Sequence, residues 1–277
     1  MRVRVVAILA AYNEEKILGR VIRWLAEQGV ETYLIDNEST DGTRAVAEGL
    51  RGQGLIGMET LARHGDFRLS EQLGVKERLH HELGADWYIH HDADEIRQAP
   101  EGFGTLREGL AAVDAAGYNA VDFHEFAFLP TSKADDFEHE GFIEAMQHYC
   151  YMGRTTGAKY RINAWKNFGQ AIDLASTAGH QVQFEGRKVF PTKFILRHYL
   201  ALSYAHVLRK YCHRRFSEAE VSRGWFGTRA TLRDEEVDFP SEHEMKRLAP
   251  GAGWDLSDPW TDEPLFRKAK PPARRGR

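Results

Sequence analysis

Val3–Ala10, interrupted only by Arg4, is a run of β-branched and aliphatic residues that ends abruptly in Tyr12-Asn13-Glu14-Glu15. A strand without polar alternation is covered on both faces, as in a parallel sheet flanked by helices. Ile17, Leu18, Val21, Ile22 and Leu25 then recur at helical spacing, and Gly29 closes that segment. Thr32–Ile35 reads as a second strand, and the turn-rich Asp36–Thr43 leads into a helix through Ala45, Val46 and Leu50. A short strand at Leu55–Met58 follows, then a helix from an N-cap at Ser70 to Leu83, with Leu73 and Lys76 to Leu79 along it. Trp87–His90 is the next strand and runs straight into His91-Asp92-Ala93-Asp94-Glu95. This strand–helix rhythm predicts an α/β fold with a mostly parallel, doubly wound sheet.

Such sheets bind ligands beyond the carboxyl ends of their strands. Three polar clusters fall there: Tyr12–Glu15, Asp36–Thr43 and Asp92–Glu95. A bare Asp-x-Asp is common in solvated turns, so its place directly after a buried strand is what singles it out. Asp92 and Asp94 offer the oxygen ligands that a hard divalent cation takes, leaving its other positions to phosphate and water. Asp36 leaves the second strand where a base or ribose could be hydrogen-bonded. Ser39, Thr40 and Asp41 are suited to cap the following helix, and Gly42 permits close backbone approach.

The composition sets limits on partners. A net charge of −4 over 277 residues gives no general attraction to nucleic acid. The last eleven residues hold Arg267, Lys268, Lys270, Arg274, Arg275 and Arg277 without an acid. They read as a solvated basic tail, with weak attraction to an anionic membrane surface as the sharper alternative. Two isolated cysteines, Cys150 and Cys212, fit a reducing compartment. The expected location is therefore cytoplasmic, with peripheral contact at the inner membrane face through the tail. The apolar run after Met1 is short for a signal peptide and is better explained as the first strand.

The second half is less regular. Leu106–Ala116 reads as a helix and Ala120–Leu129 as a strand ending at Pro130; residues 131–145 form an acidic loop. Tyr160–Trp165, Gln181–Phe184 and Val189–Leu196 are strand candidates, and Leu200–Phe216 and Glu218–Gly224 helical ones. The expected organisation is a nucleotide-binding half at 1–100, an acceptor-side half at 101–230, and an extension with the tail at 231–277.

Ala11-Tyr12-Asn13-Glu14-Glu15, Asp36-Asn37-x-Ser39-Thr40-Asp41-Gly42-Thr43 and Asp92-Ala93-Asp94-Glu95, in that order and spacing, resemble family 2 glycosyltransferases. The resemblance implies the GT-A fold, a Rossmann-like sheet with a more irregular C-terminal acceptor side. It also implies a UDP- or GDP-linked sugar donor, and Mn²⁺ or Mg²⁺ as cofactor. The acceptor would be a glycan, a lipid-linked molecule or a small molecule. Carried over, Ala11, Tyr12, Glu14 and Asn37 would line the nucleotide pocket and Asp36 would contact the base. Asp92 and Ala93 would meet the ribose or the metal, and Asp94 the metal. Gly179-His180, His198-Tyr199, Lys210 and Gly224-Trp225 are similar to later features of bacterial members of that class.

His198 is expected as a third metal ligand, with His180 its alternative. Lys210 is expected on the diphosphate, and Trp225 on the sugar as part of a lid. An inverting reaction requires a carboxylate to take the acceptor's proton. Asp122, Glu125, Asp135, Asp136 and Glu140 are the choices, with Glu125 preferred. A sugar-phosphate nucleotidyltransferase and a non-catalytic nucleotide-sugar-binding protein of the same fold are the rival readings. The Gly-rich basic loop typical of the former is not seen at Tyr12–Lys16.

Overall fold

The structure, a computed structural model, describes residues 3–153, 160–249, 251–261 and 263–265. In chain order the elements begin β1 (Val5–Ala11), α1 (Leu18–Glu27), β2 (Glu31–Asp36), α2 (Thr43–Glu48), β3 (Leu55–Thr60), α3 (Leu69–Glu82), β4 (Trp87–Asp92) and β5 (Glu95–Gln98). They continue α4 (Leu106–Ala115), β6 (Ala120–Val121), β7 (Phe123–Phe128), α5 (Phe142–Ala145), β8 (His148–Tyr151), β9 (Ala164–Lys166) and β10 (Phe194–Tyr199). Last come α6 (Tyr204–Val207), a π-helical turn at Leu208–Cys212, α7 (Glu218–Ser222) and β11 (Lys246–Arg247).

One sheet has six strands in the order β3-β2-β1-β4-β9-β6, and β3, β2, β1 and β4 are mutually parallel. Every residue of β1 is buried, and the strand feeds two cores. Val5, Ala7, Leu9 and Ala11 pack with the apolar face of α1, while Val6, Ile8 and Ala10 pack with Leu73 and Leu79 of α3. The unbroken apolar run thus has its physical cause in helices on both faces. In register, Ala11 lies opposite Asp36 and Ala10 opposite Asp92, which brings the three polar clusters to one edge.

The second sheet, β11-β8-β7-β10-β5, stands where the sequence promised irregularity. The expected strand Ala120–Leu129 divides at Asp122, whose Oδ1 accepts the N–H groups of Phe123 and Arg161 at 2.9 and 2.7 Å. The chain there leaves the first sheet as β6 and enters the second as β7. A boundary at residue 100 does not separate two halves, because β5 belongs to the second sheet and β6 and β9 to the first. Val189–Leu196 gives its strand to Phe194–Tyr199, and Gln181 and Gln183 make only isolated bridges. Leu200–Phe216 is helical only from Tyr204 to Cys212, starting where Ser203 Oγ accepts the His206 N–H at 2.9 Å. The basic tail lies outside the described residues. Among those described, no helix is long and apolar enough to cross a membrane.

α3 is capped from outside. The residue before it, Arg68, provides no side-chain capping bond to the helix backbone, and Ser70 is not its N-cap. Instead Glu220 of α7, buried at 2% exposure, accepts the N–H groups of Leu69 and Ser70 at 3.0 and 2.7 Å. A carboxylate at a helix N-terminus satisfies orphan donors and meets the positive end of the helix dipole. Glu220→Ala should therefore lower stability by about 1–2 kcal/mol in a urea titration. An unchanged midpoint and slope would show that this tie contributes nothing.

Candidate active site

The loops after β1 and β2 are bound to each other before any ligand is considered. Asn13 donates its N–H to Ser39 Oγ at 3.0 Å, and its Oδ1 accepts the Thr40 N–H at 2.8 Å. Glu14 donates its N–H to Thr43 Oγ1 at 2.7 Å, and Glu15 accepts the Gly42 N–H at 2.6 Å. A Cβ on Gly42 would lie 2.6 Å from the Glu15 carboxylate, so a side chain there would push the Glu15 end of this clasp aside. Much of the Ser-Thr-Asp-Gly-Thr pattern is thus spent on joining two loops.

Asp36 is 2% exposed and closes the turn by accepting the Ser39 N–H at 3.1 Å, with Arg44 4.0 Å from its other oxygen. Ala11 is buried, and its carbonyl accepts the Asn37 N–H at 2.9 Å. Asn37 is buried as well, donating to the Leu61 carbonyl and accepting from Arg63 at 3.2 Å. Asn37 therefore supports Arg63, whose guanidinium lies 3.7 Å from the centre of the Tyr12 ring. Arg63 had no place in the sequence reading, since nothing local marks the loop after β3.

Tyr12, Glu14 and Arg63 line a cleft of about 330 Å³ together with His206, Arg209, Lys210, His213, Arg214 and Arg215. Five Arg and Lys side chains against the single carboxylate of Glu14 make it an anion site. Burial pushes the Glu14 carboxyl up to about 7 against the pull of Lys210. His206 is held neutral by burial, its Nδ1 accepting the Leu202 N–H at 3.1 Å. Its proton accordingly sits on Nε2, 4.0 Å from Glu14. Arg209 and Lys210 come from the π-helical turn after α6, a wide backbone form enriched at functional sites; Arg214 and Arg215 follow it, and Arg63 comes from the loop after β3.

Beside the cleft lie the carboxylates after β4. Lys76 of α3, fully buried, donates from Nζ to the His91 carbonyl at 2.8 Å and reaches Asp92 Oδ1 at 3.4 Å. Asp92 keeps 45% of its side chain exposed. Burial would raise its carboxyl, but Lys76 and His90 outweigh that and hold it at about 2. Glu95 accepts the Asp92 N–H at 3.2 Å and pairs with the buried Arg97 at 2.7 Å. Ala93 is buried in the turn. His90 and His91 face inward, His91 donating from Nδ1 to the Asp92 carbonyl at 2.8 Å.

Asp94 is met by Lys210 Nζ and by His198 Nε2 at 3.2 Å, both at Oδ2. Burial would raise its carboxyl, yet these two cations hold it well below the usual range. Glu125 Oε1 lies 2.7 Å from His198 Nδ1, and its Oε2 is 2.9 Å from Arg161. Burial would lower the His198 imidazole, but the Asp94 and Glu125 carboxylates push it up to about 10. Glu125, 3% exposed and engaged by two cations, has the place of a positioning residue and not of an open base. Its carboxyl is held well below the usual range for the same reason. His198, not His180, meets Asp94; His180 is pulled down to about 3 by burial, then by Arg161. Trp225 does not line the cleft. Its neighbour Phe226 packs on Phe67 and Phe216, with ring centroids 5.7 and 4.6 Å away.

Among the described residues no group of three or more His, Cys, Asp or Glu side chains is gathered to hold a metal. A smaller set fits one. Asp94 Oδ2 and His198 Nε2 are 3.2 Å apart. Two ligands about 2.1 Å from an octahedral ion and at right angles stand about 3.0 Å apart. Glu125 on the far ring nitrogen is the orienting partner that metal-bound imidazoles have. The pair suits a divalent ion whose other ligands come from phosphate and water, with Asp92 exposed alongside.

The sequence model described as "Glycosyl transferase family 2" matches residues 6–63, about a fifth of the chain. No curated protein matches the sequence. S. aureus TarS is similar over 78% of this chain and 41% of its own, with 13% identity and a TM-score of 0.44. TarS 1–349 in complex with UDP is similar over 84% and 73%, with 12% identity and a TM-score of 0.41. Glucosyl-3-phosphoglycerate synthase from M. tuberculosis is similar over 45% of each chain, with 20% identity and a TM-score of 0.30. The chain thus spans less than half the length of TarS.

Lys76→Met should cost about 1–3 kcal/mol in denaturant unfolding, because it strips the donor from the buried His91 carbonyl. It should also weaken nucleotide binding, since Asp92 loses its inner partner. Unchanged stability and unchanged binding together would contradict both roles.

Proposed function

We propose that the chain is a glycosyltransferase that moves a sugar from a nucleoside-diphosphate donor to an acceptor hydroxyl with the help of a divalent cation. The observation that carries this reading is the meeting of a basic cleft with the Asp94–His198 pair at the carboxyl edge of a parallel sheet. The match of residues 6–63 to a glycosyltransferase family supports it.

In this reading the stacked Tyr12–Arg63 pair forms one wall for the base, with Asp36 at its edge, and Arg209, Lys210 and Arg214 bind the diphosphate. Asp94 and His198, the latter after giving up its Nε2 proton, would hold Mn²⁺ or Mg²⁺, and Asp92 would serve the ribose or the same cation. The ion would supply Lewis-acid stabilisation of the leaving diphosphate. The cationic groups of the cleft do the same work electrostatically, already oriented before the anomeric C–O bond breaks. Glu125 keeps the His198 ring turned towards Asp94. The acceptor hydroxyl attacks the anomeric carbon and gives up its proton to the surrounding water, the anomeric C–O bond breaks, and the nucleoside diphosphate departs, in a transition state of oxocarbenium character. A nucleotidyltransferase would release pyrophosphate instead.

The test is an assay of nucleoside diphosphate release from UDP- and GDP-sugars with Mn²⁺ and candidate acceptors. Turnover should vanish on chelation with EDTA and return with Mn²⁺. Asp94→Ala should lower it by about 10²–10³-fold, a loss typical of removing a main electrostatic contact, with the far-ultraviolet spectrum unchanged. Full activity in EDTA would contradict the cation's part, and pyrophosphate release would replace this reading by its rival.

A further inference from the structure

We propose that Lys210 is a stand-in cation: it occupies Asp94 until a donor arrives, then passes to the diphosphate and yields the carboxylate to the divalent ion. This rests on the donor reading of the same cleft, and it makes nucleotide and metal bind as a coupled pair.

Asp92, Asp94, Glu95 and Glu125 each already have a cation of their own. Asp92 has Lys76 at 3.4 Å, Glu95 has Arg97 at 2.7 Å and Glu125 has Arg161 at 2.9 Å. Asp94 has Lys210, with side-chain exposures of 7% and 11%. The cluster of acids is therefore no well of uncompensated negative charge. A divalent ion entering alone would meet the Lys210 ammonium at the very oxygen it needs, and like charges a few ångströms apart in a partly buried site repel strongly.

Lys210 also lines the basic cleft, so its ammonium stands on the border between carboxylate and anion site. Its flexible four-carbon stem allows the charge to move between them without a backbone change. A bound diphosphate offers a second anionic partner, and the vacated Asp94 oxygen then faces the cation with Nε2 of His198 beside it, its proton released to solvent as the ion binds. Coupling of this kind is reciprocal: whatever factor the nucleotide adds to metal affinity, the metal adds to nucleotide affinity.

The experiment titrates Mn²⁺ calorimetrically into the full chain, with and without saturating UDP or GDP, corrected for Mn²⁺ bound by free nucleotide. Wild type, Lys210→Met and Asp94→Asn are compared. Wild type should bind Mn²⁺ at least tenfold more tightly with nucleotide than without. Lys210→Met should bind Mn²⁺ alone at least tenfold more tightly than wild type, and should lose most of the nucleotide-dependent gain. Asp94→Asn should bind poorly in both conditions. Equal wild-type affinity with and without nucleotide overturns the proposal, and this holds even if the Lys210 variant does not fold. Unchanged metal-alone affinity in Lys210→Met also overturns it, while weak binding by Asp94→Asn would leave the donor site standing. If Asp94→Asn binds Mn²⁺ and nucleotide like wild type, the donor-site reading falls and the proposal with it.

Discussion

The line of charge from Lys210 through Asp94 and His198 to Glu125 and Arg161 is the constraint on which the site depends. Its members come from the turn after β4, from β7, from β10, from the π-helical turn and from the loop before β9. No two neighbouring members share an element, so the line exists only when both sheets are assembled. The backbone reinforces it, since the Tyr199 N–H donates to the Asp94 carbonyl at 2.8 Å. Removing one partner of a buried pair leaves the other uncompensated, which typically costs about 3–5 kcal/mol. The same groups that fix the junction of the sheets therefore also fix the geometry of the candidate metal ligands.

A second constraint is the division of labour at the edge of the parallel sheet. The motif residues after β1 and β2 mostly bond to one another, and they hold Tyr12 and Asp36 as rigid parts of a rim. Apart from Arg63, the cations that make the cleft attractive to anions arrive from far along the chain, at residues 209–215. Lys76 and Glu220 join these regions to α3, one under Asp92 and the other at the helix N-terminus. Asp92 and α7 are consequently held against a single helix, and a shift in α3 would disturb both.

The first 95 residues were readable because parallel strands buried on both faces leave plain apolar runs, and polar clusters follow them. Strand β5 was missed since Glu95-Ile96-Arg97-Gln98 puts two charged residues inside the protein, where they neutralise each other. Lys76 lay within the interior stretch of its predicted helix, and a lysine on a buried stripe implies a buried anion that periodicity cannot name. Glu125 was preferred as base for its place on a strand. Its partners Arg161 and His198 lie 36 and 73 residues away in sequence, so its engagement could not be seen there. Trp225 was favoured for its glycine neighbours, whereas Phe226 makes the aromatic contacts, at a positive φ of 67° that turns its ring onto Phe67 and Phe216.

The most direct measurement is a crystal structure of the chain soaked with UDP or GDP and Mn²⁺. The account predicts the diphosphate against Lys210 and Arg214, the base beside the stacked Tyr12–Arg63 pair, and the ion bonded to Asp94 and His198. A nucleotide seated away from the basic cleft, or an ion held without Asp94, would contradict it.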